Sequence, residues 1–406
     1  MSDIDTFQEE IGLALSGGGS RAIAYHLGCL RALHELDLLK HVTIISTVSG
    51  GSVIGALYVY SEDSFEEFDN RICDLLDSGL MAGIVRQTLH PANLMRSVLT
   101  SATAGVAAKT AQGLSLAGKA LQALKDALPG ATRRRSTASD WSDNLVPPIQ
   151  RWWSRSRAFE KVLREQLFGE TMMSSTRREG MDIVINATEL RTATAFRYGS
   201  RYSSSSRYGK VKGNRCSVAE AVAASAAYPL FLPAFHRRYQ FGEEGAEEAE
   251  VVLTDGGAYD NLGTTCLAPD RNPHYTDHVY SHDSVVASHA GMGQWSRRGR
   301  PYGLISRMRR SLATTFRKNE DAQKGEVVKW GIKDDSGLRN SVLTSLGQKD
   351  EKLREDPRVS VPENLVPRDE VVYYPTDFRP MPTADRSRIA KRGEQMTKLL
   401  VEGHWG

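Results

Sequence analysis

The sequence predicts an α/β fold with a mainly parallel sheet, and two stretches near its start carry that prediction. Residues 11–15 are a short apolar run that ends in a glycine- and serine-rich loop, after which apolar residues recur at helical spacing. Residues 42–60 repeat the pattern: an apolar strand, a Ser-Gly-Gly-Ser turn and an apolar helix. Strands that alternate with helices pair side by side in parallel. We therefore expect β-α-β-α order over the first 60 residues.

The rest of the chain is expected to form one domain, residues 10–406, with an insertion inside it. Residues 81–157 are rich in alanine, serine and glycine and contain three consecutive arginines, so we expect a helical insertion there. Periodic order then resumes, with these predicted elements: a helix at 159–167, a strand at 181–188, a helix after the capping-box sequence 217–220, strands at 251–254, 284–288 and 371–374, and a closing helix.

Composition excludes several classes of protein. The 406 residues are 40% hydrophobic and 25% charged, which is the balance of a globular chain. Fifty-two basic residues against 49 acidic ones give a net charge of +3, too small to indicate a nucleic-acid partner. The four cysteines form no C-x-x-C pair, so we expect neither a disulfide scaffold nor a zinc site, and a reducing, cytoplasmic location. The acidic start does not resemble a signal peptide.

Ser49 is the candidate nucleophile. It stands between a predicted strand and a predicted helix in the sequence Thr-Val-Ser-Gly-Gly at 47–51. A nucleophile elbow needs this setting, because glycines let the backbone turn sharply and lift the hydroxyl out of the sheet. The usual motif begins with glycine where this chain has Thr47, so the pattern alone also fits an ordinary Ser/Gly turn.

The glycine loop at 17–21, Gly-Gly-Gly-Ser-Arg, supports the elbow. It follows the neighbouring predicted strand, so both turns would face the same edge of the sheet, and its amides could hold a developing oxyanion at a helix N-terminus. The same loop also fits a dinucleotide-binding fingerprint, Gly17-x-Gly19-x-x-Ala22. That fingerprint needs an acidic residue at the end of the second strand. Asp37 precedes that strand, and the strand instead ends next to Ser49, which disfavours the nucleotide hypothesis.

Asp255 is the candidate base. It ends a short apolar strand and is followed by two glycines, which leave space beside its carboxylate. His289 or His404 could complete a Ser-Asp-His triad in the chain order of α/β-hydrolases. Neither histidine lies in a recognisable motif, so the residues alone leave a dyad and a triad open.

These motifs together resemble the patatin-like phospholipase family. The glycine loop, the serine turn and the Asp-Gly-Gly sequence at 255–257 occur in the order and contexts of that family. The resemblance covers most of residues 10–290 and includes three further segments: Asn-Ala-Thr-Glu-Leu at 186–190, the alanine-rich stretch 221–229, and Tyr-Asp-Asn-Leu-Gly at 259–263.

The resemblance implies a three-layer α/β/α sandwich and a lipid acyl hydrolase that uses neither a metal nor another cofactor. Ser49 would attack the ester carbonyl while Asp255 accepts its proton. Arg21 would either hold a lipid phosphate or pair with a carboxylate and fix the helix start. An aspartate that works without histidine needs raised basicity, which burial can provide. The oxyanion would be held by the amides of four glycines: Gly17, Gly18, Gly19 and Gly50.

A phospholipid substrate also implies peripheral contact with a membrane. Three segments are candidates: the insertion at 81–157, as a lid or a membrane- or partner-contact segment, and the basic stretches 191–215 and 295–318. The last contains an amphipathic helical face with Leu304, Met308, Leu312 and Phe316. We favour packing of this face on the protein core over an interfacial helix.

Two functions remain open on the sequence. The first is a phospholipase A-type enzyme that cleaves fatty-acyl esters of membrane phospholipids through an acyl-serine intermediate. The second is a catalytically inactive member of the same fold that binds lipid or a protein partner. The presence of both Ser49 and Asp255 favours the enzyme.

Overall fold

The computed structural model describes residues 10–89, 155–229, 231–242, 247–274, 276–293, 302–331 and 338–405. The chain divides into two units, residues 1–83 with 159–406 and residues 84–158. Of the second unit, only 84–89 and 155–158 are described, as parts of two helices. The helical insertion predicted at 81–157 therefore lies mostly outside the described residues.

A central sheet, mostly parallel in its core as predicted, organises the first unit. Its parallel core has the strand order β10-β9-β1-β2-β3, and an antiparallel extension β4-β5-β6 continues beyond β3. The strands are β1 Ile11–Leu15, β2 Val42–Val48, β3 Asp182–Glu189, β4 Thr194–Gly199, β5 Ser204–Ser205, β6 Gly209–Lys210, β7 Phe235–Phe241, β8 Glu247–Asp255, β9 Ser284–His289 and β10 Asn340–Ser345.

Strand β3 brings the ends of β2 and β8 together. Strand β2 runs parallel to the first part of β3 and ends with Val48 opposite Asn186. Strand β4 occupies the other side of β3, so β8 must pair on the β2 side. It runs antiparallel and ends with Asp255 opposite Ala187, the next residue along. The two strands therefore meet end to end along one side of β3.

Helices follow the strands as the first 60 residues predict, with α1 after β1 and α2 after β2. The longer helices are α1 Gly19–Glu35, α2 Gly50–Val59, α3 Phe65–Ser78, α4 Met81–Leu89, α5 Arg155–Leu163, α6 Val218–Ser225, α7 Leu304–Trp330 and α8 Thr383–His404. Five π-helical residues, Arg164–Phe168, extend α5, and Gly169 ends this segment with φ of 55°. Within the described ranges, none of these helices is long and apolar enough to cross a membrane.

Helices cover both faces of the sheet. On one face, α7 and the segment around 262–267 pack against the strands through buried residues that include Ile44, Val184, Val285 and Val327. On the other face, α1 packs closely against α8. A side chain on Gly28 of α1 would clash with the backbone of Ala390 in α8, so the two helices touch through their backbones.

One predicted strand is wrong. Residues 371–374 were expected to form a strand, but Arg368–Val371 is a single helical turn. The carbonyl oxygens of Val372 and Tyr374 are used instead by the guanidinium of Arg21. This segment therefore closes over the glycine loop rather than joining the sheet.

Candidate active site

Ser49 lies on a strained turn between β2 and α2. Its φ of 51° and ψ of −116° fall outside the regions that ordinary residues occupy, at a cost of about 1–3 kcal/mol. The backbone amide of Ser49 donates a 2.9 Å hydrogen bond to the hydroxyl of Ser225, which holds this conformation in place. The turn has the geometry expected of a nucleophile elbow.

The elbow packs directly on the glycine loop. Strands β1 and β2 are parallel neighbours with Leu15 opposite Thr47, so both turns lie at the same edge of the sheet, as predicted. A side chain on Gly50 would clash with the carbonyl oxygen of Gly19, and one on Gly51 with that of Leu15. Glycine is thus required at both positions because two backbones meet there.

Thr47 stands where the usual elbow motif has glycine, and Gly55 of α2 makes room for its side chain. Its hydroxyl donates to the carbonyl oxygen of Val184 at 3.2 Å. Its methyl group points toward α2, where a Cβ on Gly55 would lie only 2.5 Å from Thr47 Cγ2. The absence of a side chain at Gly55 therefore makes room for the threonine.

Asp255 is buried beside Ser49, with 4% of its surface exposed. Thr188 of β3 donates to its carbonyl oxygen at 2.9 Å, and the amide of Gly257 donates to Oδ1 at 2.7 Å. Burial raises the pKa of Asp255 from its ordinary 3.8 to about 6, although hydrogen bonds from the Gly257 amide and the Ser49 hydroxyl partly oppose the rise. The burial that the sequence left undetermined is present.

The candidate histidines lie elsewhere. His289 is fully buried at the end of β9, where Nδ1 is 3.0 Å from the Ser345 hydroxyl and Nε2 is 3.5 Å from a Glu320 carboxylate oxygen. His404 lies 3.6 Å from Asp356. Among the described residues, no hydrogen bond joins either histidine to Ser49 or Asp255.

Of the four glycine amides predicted to hold the oxyanion, one already donates a hydrogen bond within the protein. The amide of Gly17 donates to the carbonyl oxygen of Asn261 at 3.1 Å and so cannot also hold an oxyanion. Within the described part of the chain, no backbone acceptor takes the amides of Gly18, Gly19 or Gly50. Three of the four predicted amides, those of Gly18, Gly19 and Gly50, therefore remain available as donors.

Arg21 fixes the start of α1, as the second of its two predicted roles requires, but it does so through carbonyl oxygens. Its guanidinium is buried and donates to the carbonyl oxygens of Ala290 at 3.0 Å and of Val372 and Tyr374 at 3.1 Å. Burial lowers the pKa of Arg21 to about 10, which leaves it charged at neutral pH. The residue ties the start of α1 to the segment that covers the glycine loop, and its guanidinium is buried among these carbonyl oxygens, away from any lipid phosphate.

Ser225 is a residue whose role sequence reasoning missed. Its hydroxyl accepts the amide of Ser49, and its carbonyl oxygen accepts the amide of Gly256 at 3.1 Å. Ser225 therefore connects the nucleophile turn with the turn after Asp255. It is the polar residue within the alanine-rich segment at 221–227, a signal that was visible in the sequence.

A second missed group lies behind the glycine loop. Asn261 accepts the amide of Gly17 through its backbone, and its side-chain amide donates to Glu320 of α7. Glu320 in turn approaches the buried His289, whose pKa is lowered by burial. The chain of contacts anchors the glycine loop and the segment after Asp255 to α7.

Aromatic side chains lie next to the Ser-Asp pair. Tyr228 is half-buried, and burial together with the nearby Asp255 carboxylate raises its pKa. Its ring lies 5.9 Å from that of Phe231 and 6.0 Å from that of Phe316, measured between centroids. A cluster of three aromatic side chains therefore adjoins the site. Over the described ranges, no group of three or more His, Cys, Asp or Glu side chains is placed to hold a metal ion.

Comparison with known proteins gives one family. A sequence model described as Patatin-like phospholipase matches residues 13–267, which include the glycine loop, Ser49 and Asp255. No curated protein matches the chain.

The solved structures that match the chain include the following two proteins. VipD from Legionella pneumophila is 14% identical with a TM-score of 0.38, and the match covers 98% of this chain and 67% of that one. Human GIVD cytosolic phospholipase A2 is 11% identical with a TM-score of 0.49, and covers 97% of this chain. The chain spans 59% of the length of the human protein.

Proposed function

The chain belongs to the patatin-like phospholipase family, and from that membership we propose that it is a phospholipase A-type lipid acyl hydrolase. In this proposal it cleaves fatty-acyl esters of membrane phospholipids through an acyl-serine intermediate. The observation that carries the proposal is the juxtaposition of a strained Ser49 with a buried Asp255 whose pKa is about 6. A base with this pKa is mostly ionised at neutral pH and still basic enough to take a proton.

Acyl transfer to Ser49 is the first step. The Asp255 carboxylate accepts the hydroxyl proton as Oγ attacks the ester carbonyl carbon. The carbonyl oxygen becomes an oxyanion, which the amides of Gly18, Gly19 and Gly50 stabilise. One such donor contributes about 2.7–4 kcal/mol to the stability of the transition state. The C–O bond to the glycerol then breaks, and the departing oxygen takes the proton from Asp255 to give a lysophospholipid.

Hydrolysis of the acyl-serine is the second step and uses the same groups. Asp255, ionised again, accepts a proton from water as the water oxygen attacks the acyl carbonyl. The oxyanion forms at the same three amides. Its collapse breaks the bond to Ser49 Oγ, which recovers a proton from Asp255, and a fatty acid leaves. The residues return to their starting protonation states, so the cycle needs no cofactor.

The substrate places the protein at a membrane surface. A long-chain phospholipid resides in a bilayer, so we propose a cytoplasmic protein that contacts the membrane peripherally. The aromatic cluster of Tyr228, Phe231 and Phe316 offers an apolar surface for an acyl chain beside the buried serine.

Covalent labelling tests the proposal. A fluorescent fluorophosphonate should label the wild-type protein and the Ser78→Ala control, which removes the hydroxyl of an exposed serine elsewhere in the chain. It should not label Ser49→Ala. Release of fatty acid from phosphatidylcholine vesicles should follow the same pattern.

If the protein is instead an inactive binding module, the labelling experiment should give the opposite result. A catalytically inactive patatin-fold module that binds lipid or a partner would remain unlabelled and release no fatty acid while being folded. A labelled Ser49→Ala variant would instead show that another residue is the nucleophile. Either result would overturn the proposed chemistry.

A further inference from the structure

The second half of helix α7 packs against the protein, whereas apolar side chains in its first half are exposed to solvent. Its second half docks on the segment after Asp255: Asn319 donates to the Tyr259 carbonyl oxygen at 2.5 Å, and Gln323 accepts the Leu262 amide at 3.2 Å. In its first half, Leu304 is 68% exposed and Met308 is 58% exposed. The prediction that this apolar face packs on the protein core is therefore wrong for the first half of the helix.

The exposed apolar residues continue toward the site as a stripe. Leu304, Met308, Leu312 and Phe316 recur every four residues, so they lie on one side of α7 over about 18 Å. Leu312 and Phe316 are partly buried, and the Phe316 ring meets Tyr228 beside Asp255. The stripe thus extends outward from the neighbourhood of the Ser-Asp pair.

Positive charge accompanies the stripe. Arg307 and Arg309 are exposed and lie one residue before and after Met308, about 100° to either side of it. Within the described residues 302–319, five residues are basic and none is acidic. The part of α7 around the exposed leucine and methionine is therefore cationic.

We propose that this basic apolar face, formed by Phe231, Leu304, Met308, Arg307 and Arg309, docks the protein on bilayers that contain anionic phospholipid. Phe231 is 59% exposed and contacts Tyr228, the same side chain that Phe316 of the stripe contacts. Apolar side chains flanked by cations are the pattern of a helix that lies in the membrane interface. The inference rests on the proposed function, because it names the surface through which the substrate is reached.

Charge favours a membrane over a second copy of the chain. A symmetric dimer through this face would bring Arg307 and Arg309 against their own copies or close to them, and like charges at an interface are unfavourable. An anionic leaflet neutralises the same side chains, and each contributes about fivefold to the partition coefficient. A bilayer also accepts an exposed apolar row without needing a matching groove.

Vesicle binding by the full chain with Ser49→Ala tests the proposal. This variant removes the proposed nucleophile, so binding is measured apart from hydrolysis, and its outcome is independent of whether the enzyme proposal holds. Partition to vesicles of phosphatidylcholine with 30% phosphatidylglycerol should exceed partition to pure phosphatidylcholine roughly tenfold or more, and should fall as salt rises. Adding Arg307→Gln with Arg309→Gln should weaken binding to the anionic vesicles about thirtyfold.

Matched variants separate this face from general surface effects. Lys329→Gln with Arg238→Gln removes the same charge at exposed sites elsewhere and should weaken binding much less. Leu304→Ser with Met308→Ser should weaken it strongly. The matching apolar control, Leu190→Ser with Val328→Ser, changes two residues that are about half exposed and should bind nearly normally. Midpoints of thermal unfolding verify that each variant is folded.

Three outcomes would overturn the proposal. The first is equal binding to neutral and anionic vesicles. The second is an equal loss of binding in the face variants and their controls. The third is a dimer in sedimentation velocity that Leu304→Ser with Met308→Ser abolishes while vesicle binding is unchanged, which would assign the face to a second copy.

Discussion

The amide of Ser49 and the hydroxyl of Ser225 form a 2.9 Å hydrogen bond, although 176 residues separate them in the chain. Because the carbonyl oxygen of Ser225 also accepts the Gly256 amide, one residue holds the turns on both sides of the site. Ser225→Ala would leave the buried Ser49 amide without its acceptor, at a cost of about 1–3 kcal/mol. We expect kcat on a soluble ester to fall roughly tenfold to a hundredfold, with a smaller change in KM. Ser225→Thr, which keeps the hydroxyl, should recover activity; equal kcat values for wild type and Ser225→Ala would contradict the role.

Activity should rise with pH through the pKa of Asp255. The base must be ionised to accept the Ser49 proton, and burial sets its pKa at about 6. The kcat/KM for a neutral soluble ester should therefore increase about tenfold per pH unit below 6 and level off above 7. The nearby Tyr228 titrates above its ordinary range and stays neutral in this window. A profile that is flat from pH 5 to 8 would exclude Asp255 as the base.

The free energy of unfolding should fall as pH rises through the pKa of Asp255, whereas activity should rise. Its pKa in the folded protein lies above the ordinary value of 3.8, so its contribution to stability is fully present below about pH 3.8 and is lost as pH rises through 6. Asp255→Asn removes that loss and should raise the free energy of unfolding by up to about 3 kcal/mol at pH 8. The gain should shrink toward pH 4. Urea unfolding at both pH values measures it, and a variant less stable than wild type at pH 8 would refute this account.

Gly50→Ala should damage the oxyanion hole. The new methyl group would clash with the Gly19 carbonyl oxygen and push the glycine loop away from the elbow. We expect a loss of about 100-fold to 1,000-fold in kcat, the size associated with one misplaced donor. Gly325→Ala in α7 is the matched control, because nothing lies within 4 Å of its added Cβ, and it should keep wild-type kcat. Comparable kcat for the two variants would argue against this part of the mechanism.

Thr47 and Gly55 should be energetically coupled. Gly55→Ala places a methyl group about 2.5 Å from Thr47 Cγ2, and such overpacking costs about 1–3 kcal/mol. Thr47→Ser deletes that methyl group and retains the hydroxyl that donates to Val184. The double variant should therefore be more stable than the sum of the single changes indicates. A double-mutant cycle by chemical denaturation checks this, and additive values would show that the contact is relieved elsewhere.

Local sequence patterns predicted the elements that carry Ser49 and Asp255, because each follows an apolar run and precedes glycines. They also placed the glycine loop beside the elbow, since consecutive β-α units pair in parallel. The short strand expected at 251–254 is the end of a longer strand, Glu247–Asp255. Its pairing with β3 depends on residues more than 60 positions apart, which no local pattern encodes.

Contacts between side chains and backbone were the least predictable. The amide of Gly17 is taken by Asn261, and the guanidinium of Arg21 is taken by carbonyl oxygens more than 260 residues away. A sequence shows that a glycine amide or a cation is present but not which distant acceptor reaches it first. For the same reason, the exposure of Leu304 and Met308 could be learned only from where α7 docks.

The end-to-end meeting of β2 and β8 on β3 makes the Ser49–Asp255 spacing insensitive to the length of the intervening chain. Asn186 and Ala187, two consecutive residues of β3, pair with the last residues of β2 and β8 respectively. Loops between β2 and β3, or between β3 and β8, can therefore gain or lose residues during evolution while the pair keeps its separation. By contrast, if β3 shifted by one residue relative to either β2 or β8, Ser49 and Asp255 would no longer lie side by side.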